Sequence, residues 1–384
     1  MSLPAVLQEL FSNVGIVLPA AVAALMAAVA ILLLLVAPVA GLCTYIERKL
    51  AADFQERVGP NRVGPIGILQ FLADGIKLIL KEDTAPLNAD KLIFNIAPSL
   101  VVGGALGAFA AVPFTRNVLG ADLDIGIFWV MALGSLVSLG ILLGAWSSDN
   151  KWSLLGGMRS AAQIISYEIP LGLCLLTIVT LSGTFSLVEV VQAQSWPNSI
   201  GGSGGTFWYV FHNPFVFVNF FVYFIASLAE CNRTPFDLPE AESELVSGFN
   251  TEFSGMRFGL YAAIGEFGDI LLFACVATAL FFGGWHLPFV NLETLELGLI
   301  FAGYSFDPVV KTLLMFAVFV AKSAGFVFVV MWLRWTLPRL RMDQLMGMCW
   351  KYMIPIGFFN LFGCAVWMWF FKGQSILQLL GLHG

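Results

Sequence analysis

Eight apolar runs, each long enough to cross a bilayer as a helix, constrain this chain more than any other feature. A helix needs about 20 mostly apolar residues to span the hydrocarbon core of a membrane. The chain is 59% hydrophobic and only 11% charged, a balance that a soluble core of this length could not bury. We therefore predict an all-α, polytopic membrane protein, folded as a single transmembrane domain over residues 1–384. The runs lie at about 15–42, 93–113, 124–146, 162–184, 208–229, 259–282, 308–333 and 352–371.

The basic residues predict how these helices are oriented. Fifteen of the nineteen Lys and Arg residues fall in the loops that follow the odd-numbered helices. Cytoplasmic loops carry the excess of basic residues in membrane proteins. Both termini are therefore predicted to lie on the outer, periplasmic side. No Lys or Arg precedes Arg48, so the first run is interpreted as a retained helix rather than a signal peptide. The predicted cytoplasmic loops are 43–92, 147–161, 230–258 and 334–351.

The first cytoplasmic loop contains a turn-rich segment followed by an amphipathic helix. The segment GPNRVGP at 59–65 is dense in Gly and Pro, which fix turns. In the predicted helix 66–82, Gln70, Asp74, Lys77 and Lys81 recur at steps of three and four and share one face, while apolar residues occupy the remainder. Such a helix is too polar to span and is predicted to lie at the bilayer surface. It acts either as a surface anchor or as the wall of an opening that faces lipid.

Residues 230–258 form an acidic block between two apolar runs. Only Arg233 and Arg257 oppose its carboxylates. Its apolar side chains favour a segment folded back against the helix bundle, with carboxylates that point into a polar interior; an ordinary solvated loop is the alternative. Like charges crowded in a low dielectric cannot all ionise, so some carboxyls would hold protons near neutral pH, as a proton relay requires. The six carboxylates are Glu230, Asp237, Glu240, Glu242, Glu244 and Glu252.

Glu168 places a further carboxylate inside the fourth apolar run. An ionised group deep in a membrane helix costs about 2.5–3.5 kcal/mol on insertion scales, so it usually faces a partner or a water-filled cavity. Pro170 would free backbone carbonyls nearby for water or a side chain. The alternative is a side chain that extends towards the cytoplasm, since Arg159 is only nine residues away.

The cysteines and histidines argue against a redox centre in this chain. Six cysteines are scattered without a C-x-x-C pair, unlike iron–sulfur, zinc or disulfide frameworks. None of the three histidines lies in the interior of an apolar run, where a membrane haem would need its ligands, although His212 falls close to the start of one. No nucleotide-binding motif is present. The sequence thus predicts no metal, haem, flavin or iron–sulfur cluster and no residue that is catalytic in the sense of redox chemistry.

Five segments carry a family resemblance that extends from Tyr45 to Lys351. Together they resemble the membrane subunit of respiratory complex I, the proton-pumping NADH:quinone oxidoreductase, that borders the quinone site. The first forty residues, the outer loops 185–207 and 284–306 and the C-terminal tail do not match. The matching segments are YIERKL, QERVGPNRVGPIGILQ, GGMRSAAQIISYE, AECNRTPFDLPEAESELVSGFNTEFSGMRF and LPRLRMDQLMGMCWK.

The resemblance implies a bundle of eight tilted helices whose cytoplasmic loops complete a quinone chamber, with a chain of glutamates leading from the chamber into the membrane arm. Cys231 stands where the family pattern suggests Thr, and the spacing to Glu266 is one residue longer than the pattern suggests. The proton-path positions carried over are Glu168, Glu230, Glu240, Glu242 and Glu244, with Glu252 and Glu266 as further acids. The chamber and loop positions carried over are Glu47, Arg48, Arg57, Arg62, Arg233 and Asp237.

The function implied is that of a quinone-binding and proton-coupling subunit, with ubiquinone or menaquinone as the substrate. Implied partners are hydrophilic quinone-module subunits, small membrane subunits, antiporter-like subunits and lipid, but no nucleic acid. The implied location is the bacterial inner membrane, with mitochondrial and chloroplast counterparts as alternatives. Loop arginines such as Arg48 and Arg62 have an alternative role, which is to pair with acids of partner subunits. Two other functions stay open: a related subunit of a membrane-bound hydrogenase or formate-linked complex, and a stand-alone proton or cation channel.

Overall fold

A computed structural model describes residues 36–195, 208–239, 242–288 and 307–371 of the chain. It also describes residues 4–5, 7–8, 19, 22, 26, 29–31, 300–301, 304–305 and 375–376. Most of the predicted first membrane helix, 15–42, lies outside these ranges. The same is true of most of the two outer loops that do not match the family pattern.

The described residues are helical apart from connecting loops and one hairpin of two-residue strands. The α-helices are α1 (Ala37–Phe54), α2 (Gln70–Leu80), α3 (Lys91–Ala108), α4 (Gly126–Ser147), α5 (Lys151–Ser182), α6 (Leu187–Ala193), α7 (Pro214–Glu230), α8 (Glu242–Leu245), α9 (Gly255–Gly259), α10 (Glu266–Phe281), α11 (Asp307–Thr336), α12 (Met342–Met348) and α13 (Ile354–Phe370). π-Helical turns join α9 to α10 (Leu260–Gly265) and α12 to α13 (Cys349–Met353). Short 3-10 turns lie at Pro65–Gly67, Phe109–Ala111, Tyr209–Phe211 and Gly248–Asn250. Strands β1 (Ile300–Phe301) and β2 (Tyr304–Ser305) pair antiparallel.

Five helical segments in the described part of the chain are long and apolar enough to cross a membrane. They are Lys91–Ala111, Gly126–Ser147, Lys151–Ser182, Val309–Thr336 and Met342–Phe370, and they coincide with five of the eight predicted runs. The fifth predicted run forms α7, which is apolar but has only 17 residues. The sixth is divided among α9, a π-helical turn and α10. The fold class is therefore confirmed as helical, with five spans of sufficient length among the described residues.

Two boundaries differ from those predicted, because local capping and turn residues override the hydrophobic pattern. The loop predicted at 147–161 is largely helix: the Asn150 side chain accepts a 2.9 Å hydrogen bond from the Trp152 amide and caps α5, which then runs for 32 residues. Helix α2 begins at Gln70 rather than at residue 66. Gly67 there has a φ of 84°, and a Cβ atom at this position would overlap the Pro60 carbonyl.

Helix α5 holds the bundle together through buried polar contacts as well as apolar packing. The amide of Gln163 donates to the carbonyls of Ala229 (2.7 Å) and Phe236 (2.9 Å), which fixes the chain where it leaves α7. The hydroxyl of Tyr167 donates to the Leu345 carbonyl at 2.9 Å and joins α5 to α12. Backbone groups freed at helix ends must be satisfied inside a membrane, where no water is present. These contacts fix the positions of the loops that carry the charged residues.

Helices α3 and α4 approach closely because each presents a glycine to the backbone and side chains of the other. A Cβ atom on Gly104 would lie 2.7 Å from the Leu133 carbonyl oxygen, and one on Gly140 would lie 2.7 Å from a methyl of Val101. Small residues of this kind let helix backbones pack tightly in membranes. Neighbouring Gly103 has no atom within 4 Å of the corresponding position.

This difference predicts opposite outcomes for two adjacent substitutions. Gly104→Ala should destabilise the chain by about 1–3 kcal/mol, because the added methyl forces the two backbones apart. Gly103→Ala should be neutral or slightly stabilising, because alanine is the better helix former by about 1 kcal/mol. Thermal unfolding of the purified variants in one detergent, followed by tryptophan fluorescence, compares them directly. Equal melting temperatures would show that the α3–α4 contact does not limit stability.

Candidate functional site

The acidic block, residues 230–258, folds back against the bundle through its apolar side chains. Leu238, Leu245, Phe249 and Phe253 are all buried, with 1–6% of their surface exposed. The ring of Phe253 stacks on Phe94 of α3 with centroids 4.3 Å apart. Three other apolar residues of the block are exposed, namely Val246 (61%), Met256 (42%) and Phe258 (38%). The segment is thus part of the packed structure rather than a solvated loop.

The described carboxylates of the block point in different directions. Glu244 is exposed and pairs with Arg159 at 2.8 Å, because α8 is a single turn that buries Leu245 and so turns its neighbour outward. Glu252 accepts a hydrogen bond from the Asn150 amide, at the start of α5. Asp237 pairs with Arg339 at 3.0 Å. Glu240 and the side chain of Glu242 lie outside the described part of the structure.

Ion pairs around the buried Arg233 and Glu47 bring together four charged residues that are distant in sequence. We call Glu47, Arg233, Glu266 and Arg334 the charge cluster. Arg233, only 2% exposed, donates to both carboxylate oxygens of Glu47 at 3.1 and 3.2 Å. Its Nε lies 2.6 Å from Glu266 Oε1, and its guanidinium stacks over the ring of Phe267 at 4.4 Å. Arg334 also pairs with Glu47. The cluster joins α1, the loop after α7, α10 and α11.

Glu47 is the most deeply buried carboxylate of the charge cluster, with 6% of its surface exposed. It lies beyond the predicted first membrane helix. Burial raises the pKa of its carboxyl, and the guanidiniums of Arg233 and Arg48 act against that increase. A buried charge of this kind is tolerated only while its partners remain, and breaking such a pair typically costs about 3–5 kcal/mol. The geometry of α1, α10 and α11 at this end of the molecule therefore depends on these pairs.

The arginines of the first predicted loop, 43–92, lie at the surface. Arg48 pairs with Asp74 of α2, and both side chains are partly exposed. The Nε of Arg57 donates to Gln55 at 2.7 Å, and Arg62 is exposed. Of the six residues assigned to the chamber by resemblance, Glu47 and Arg233 form an ion pair with each other.

Three carboxyl groups lie deeper in the bundle; we call Glu168, Glu230 and Asp269 the inner acids. Glu230, at the end of α7, is 9% exposed, and Glu168 of α5 and Asp269 of α10 lie within electrostatic range of it. Glu230 and Asp269 line one cavity of about 20 Å³. Among the described residues, Glu230 Oε2 and Glu168 Oε1 have no hydrogen-bond partner. Glu168 and Glu230, two of the predicted relay residues, therefore share this region with Asp269, an acid that was not predicted.

Sequence reasoning missed both Asp269 and Arg334. Asp269 follows Glu266 by three residues and so lies on the same helical face, and a charge inside an apolar run is itself a functional signal. Arg334 ends an apolar run and was counted only as one of the basic residues that orient the protein. Its contact with a glutamate 287 positions earlier is not visible in the sequence.

An apolar cavity of about 280 Å³ lies between α1, α10 and α11 and adjoins the charge cluster. Its walls include Cys43 of α1, Leu271 of α10 and Met331 of α11. Each of these three helices also carries a charged residue just outside the cavity wall. Those residues are Glu47, Glu266 and Arg334. An apolar space with a charged end suits an amphiphile that has a long apolar part and a small polar head.

The helices and buried ion pairs define this chain as a helical membrane protein, and comparisons with known proteins specify its family. Residues 26–365 match the family model described as NADH dehydrogenase. A protein of Anaeromyxobacter dehalogenans, named as the H subunit of NADH-quinone oxidoreductase, is 44% identical over 340 residues, which are 86% of this chain and 78% of that protein. A Chlorobaculum tepidum protein of the same name is 44% identical over 324 residues, 84% of this chain and 86% of that protein. The chain belongs to the NADH dehydrogenase family, which confirms the resemblance.

The described residues contain no group of three or more His, Cys, Asp or Glu side chains placed to hold a metal ion. The six cysteines are all buried and unpaired with one another. The chemistry available at the site consists of ion pairs, protonatable carboxyls and an apolar cavity.

Proposed function

We propose that this chain is the quinone-binding and proton-coupling membrane subunit of a multi-subunit, proton-translocating NADH:quinone oxidoreductase. The observation that carries the proposal is the apolar cavity with the charge cluster at one end. Its volume of about 280 Å³ is just below the range of about 300–1,000 Å³ that is typical of small-molecule sites. The names of the relatives, which specify a quinone oxidoreductase, supply the class of ligand.

The isoprenoid tail of the quinone would occupy the apolar cavity, among residues such as Ile46, Cys275 and Val327. Its head would lie towards the charge cluster and the first cytoplasmic loop, where Arg48, Arg57 and Arg62 are located. Electrons would arrive from a redox group held by a partner subunit, and this chain would contribute no redox group of its own. Its contribution would be to align the quinone, exclude water from the tail and supply fixed charges near the head.

Proton coupling would begin when reduction adds negative charge to the quinone head. The nearest buried charges are those of the charge cluster, and Glu266 lies one helical turn from the inner acid Asp269. A change in the electrostatic interaction of Arg233 with Glu47 and Glu266 would then alter the protonation of Glu230 and Glu168 in the membrane. The acids of the block, Glu240, Glu242, Glu244 and Glu252, would serve the same relay on the cytoplasmic side. Ion pairs in low dielectric respond strongly to added charge, which makes this transfer physically reasonable.

The exposed surfaces fit a subunit with partners in a bacterial inner membrane. Leu72, Ile76 and Ile79 of α2 are 50–67% exposed, an apolar face that would meet lipid or a small membrane subunit. The exposed Arg62 and Arg341 would contact hydrophilic subunits on the cytoplasmic side. This assignment places the basic loops in the cytoplasm and both termini outside, as the basic-residue pattern predicts.

Filling the apolar cavity should weaken quinone binding without removing any charge. Ala324 lines the cavity, so Ala324→Phe is expected to raise the KM for a long-tailed quinone about tenfold, which corresponds to about 1.4 kcal/mol of lost binding. Ala321 lies one turn earlier on α11, is exposed and is not among the residues that line the cavity, so Ala321→Phe is the matched control. Steady-state kinetics of the assembled complex with long-tailed and short-tailed quinones make the comparison. An unchanged KM in Ala324→Phe would place the tail elsewhere.

A further inference from the structure

The carboxyl of Glu230 is buried, and one of its oxygens needs a hydrogen-bond partner. Its side chain is 9% exposed, and its Oε2 has no hydrogen-bond partner among the described residues. Buried polar atoms of this kind are normally satisfied by protein or by ordered water. Gly134 of α4 faces the other oxygen, and a Cβ atom there would lie 3.2 Å from Oε1. The absence of a side chain at Gly134 keeps space open around this carboxyl.

The cavity beside Glu230 has the size and the polar groups to hold one water molecule. Its volume of about 20 Å³ exceeds the 10–15 Å³ that a water needs. Glu230 and Asp269 are the carboxyl groups that line it, and the residues contributed by α3, α4 and α5 are glycine or apolar. The other charged groups nearby are Glu168 on α5 and Glu266, which is one turn earlier on α10 and is held by Arg233. A buried water requires two to four polar partners, and two carboxyls supply them.

We propose that Asp269 and Glu230 together bind one water molecule and one shared proton, which makes Asp269 a further proton-carrying residue of this chain. The inference rests on the proposed function, because it assigns Asp269 to the relay that starts at the charge cluster. Glu266 and Asp269 lie three residues apart on α10, a spacing that puts their Cβ atoms about 5–6 Å apart on one face. Asp269 thus connects the charge cluster to the other two inner acids, Glu230 and Glu168.

The transfer balances without any additional reactant. A proton leaves the Asp269 carboxyl for the water, and the water gives a proton to Glu230 Oε2, so one O–H bond forms for each that breaks. The negative charge moves from Glu230 to Asp269, and the sum of charges in the cavity is unchanged. A single shared proton also reduces the repulsion between two carboxylates in a medium of low dielectric.

Asp269→Asn tests the proposal in the assembled complex reconstituted in liposomes. The ratio of protons translocated to electrons transferred is expected to fall at least twofold, because an amide cannot pass a proton on, and Asp269→Glu is expected to restore it. Infrared difference spectra recorded on quinone reduction should lose a protonated-carboxyl band in Asp269→Asn. A proton-to-electron ratio equal to that of the unsubstituted protein, together with an unchanged spectrum, would overturn the proposal.

Gly134→Ala provides a second variant that changes no ionisable group. Its methyl would crowd Glu230 Oε1 and displace the water, so the ratio should fall here as well. If Asp269→Asn does not assemble, Gly134→Ala decides the question, and a full ratio there contradicts the proposal. A full ratio in Asp269→Asn alongside a reduced ratio in Glu230→Gln would reject Asp269 and leave the relay intact. Full ratios in both would reject the relay itself.

Discussion

Arg233→Met is expected to destabilise the chain by about 3–5 kcal/mol and to abolish quinone reductase activity of the complex. Methionine keeps most of the apolar volume but removes the charge that neutralises Glu47 and Glu266, both of which lie in the charge cluster. Arg334 would still pair with Glu47, so Glu266 is the carboxylate that loses its partner in the cluster. Removing one member of a buried pair leaves an uncompensated charge, and that is the source of the large penalty.

The matched control is Arg257→Met, which removes an arginine of the same loop from a partly exposed pair with Asp83. Surface pairs contribute about 0.2–1 kcal/mol, so this variant should assemble and remain active. Native gel electrophoresis of membranes reports assembly, and oxidation of NADH with an artificial acceptor reports the electron-input module. Equal assembly and equal quinone reductase activity in the two variants would contradict the structural role assigned to the charge cluster.

Glu230→Gln is expected to reduce the proton-to-electron ratio at least twofold while the protein still assembles. Glutamine has the shape of glutamate but cannot accept and release a proton, and Glu230 is the most buried of the inner acids. Neutralising it also removes the repulsion that Glu168 and Asp269 exert on it, so the fold should not be weakened. Proton uptake by liposomes that contain the complex, measured together with quinone reduction, gives the ratio.

Glu189→Gln is the corresponding control on the predicted outer side of the membrane. Glu189 belongs to α6, is exposed and accepts a hydrogen bond from Thr184. Among the described residues no contact links it to the inner acids, so its substitution should leave the ratio unchanged. A full ratio in Glu230→Gln would exclude that residue from the relay, and an equal decrease in both variants would indicate a general loss of coupling.

The helices were predictable because the membrane imposes a simple rule on composition. A run of about 20 apolar residues has few alternatives to a spanning helix, and five predicted runs coincide with helices of that length. The boundaries depended on single residues instead. Asn150 extends α5 into a predicted loop, and Gly67 delays the start of α2. Such capping and turn effects act over one helical turn, and a hydropathy pattern averages over many residues.

The candidate site was only partly predictable, because its contacts join residues that are far apart in the sequence. The pairing of Glu47 with Arg233 spans 186 positions, and no local rule relates the two. Asp269 lies in a run identified by its hydrophobicity, where one carboxylate hardly alters the average. Glu244 was grouped with its neighbours by charge, yet the burial of Leu245 turns it to the surface. The direction of a side chain in a short helix depends on packing rather than on composition.

Photoaffinity labelling of the assembled complex tests the central claim, that this chain lines the quinone chamber. A quinone analogue with its reactive group in the tail should label the cavity helices at 36–46, 271–275 or 319–331. An analogue with the reactive group on the head should label residues 45–82 or 230–258. Excess unmodified quinone should suppress both labels, and Ala324→Phe should reduce the tail label. Absence of label from this chain, with labelling of partner subunits in the same sample, would contradict the account.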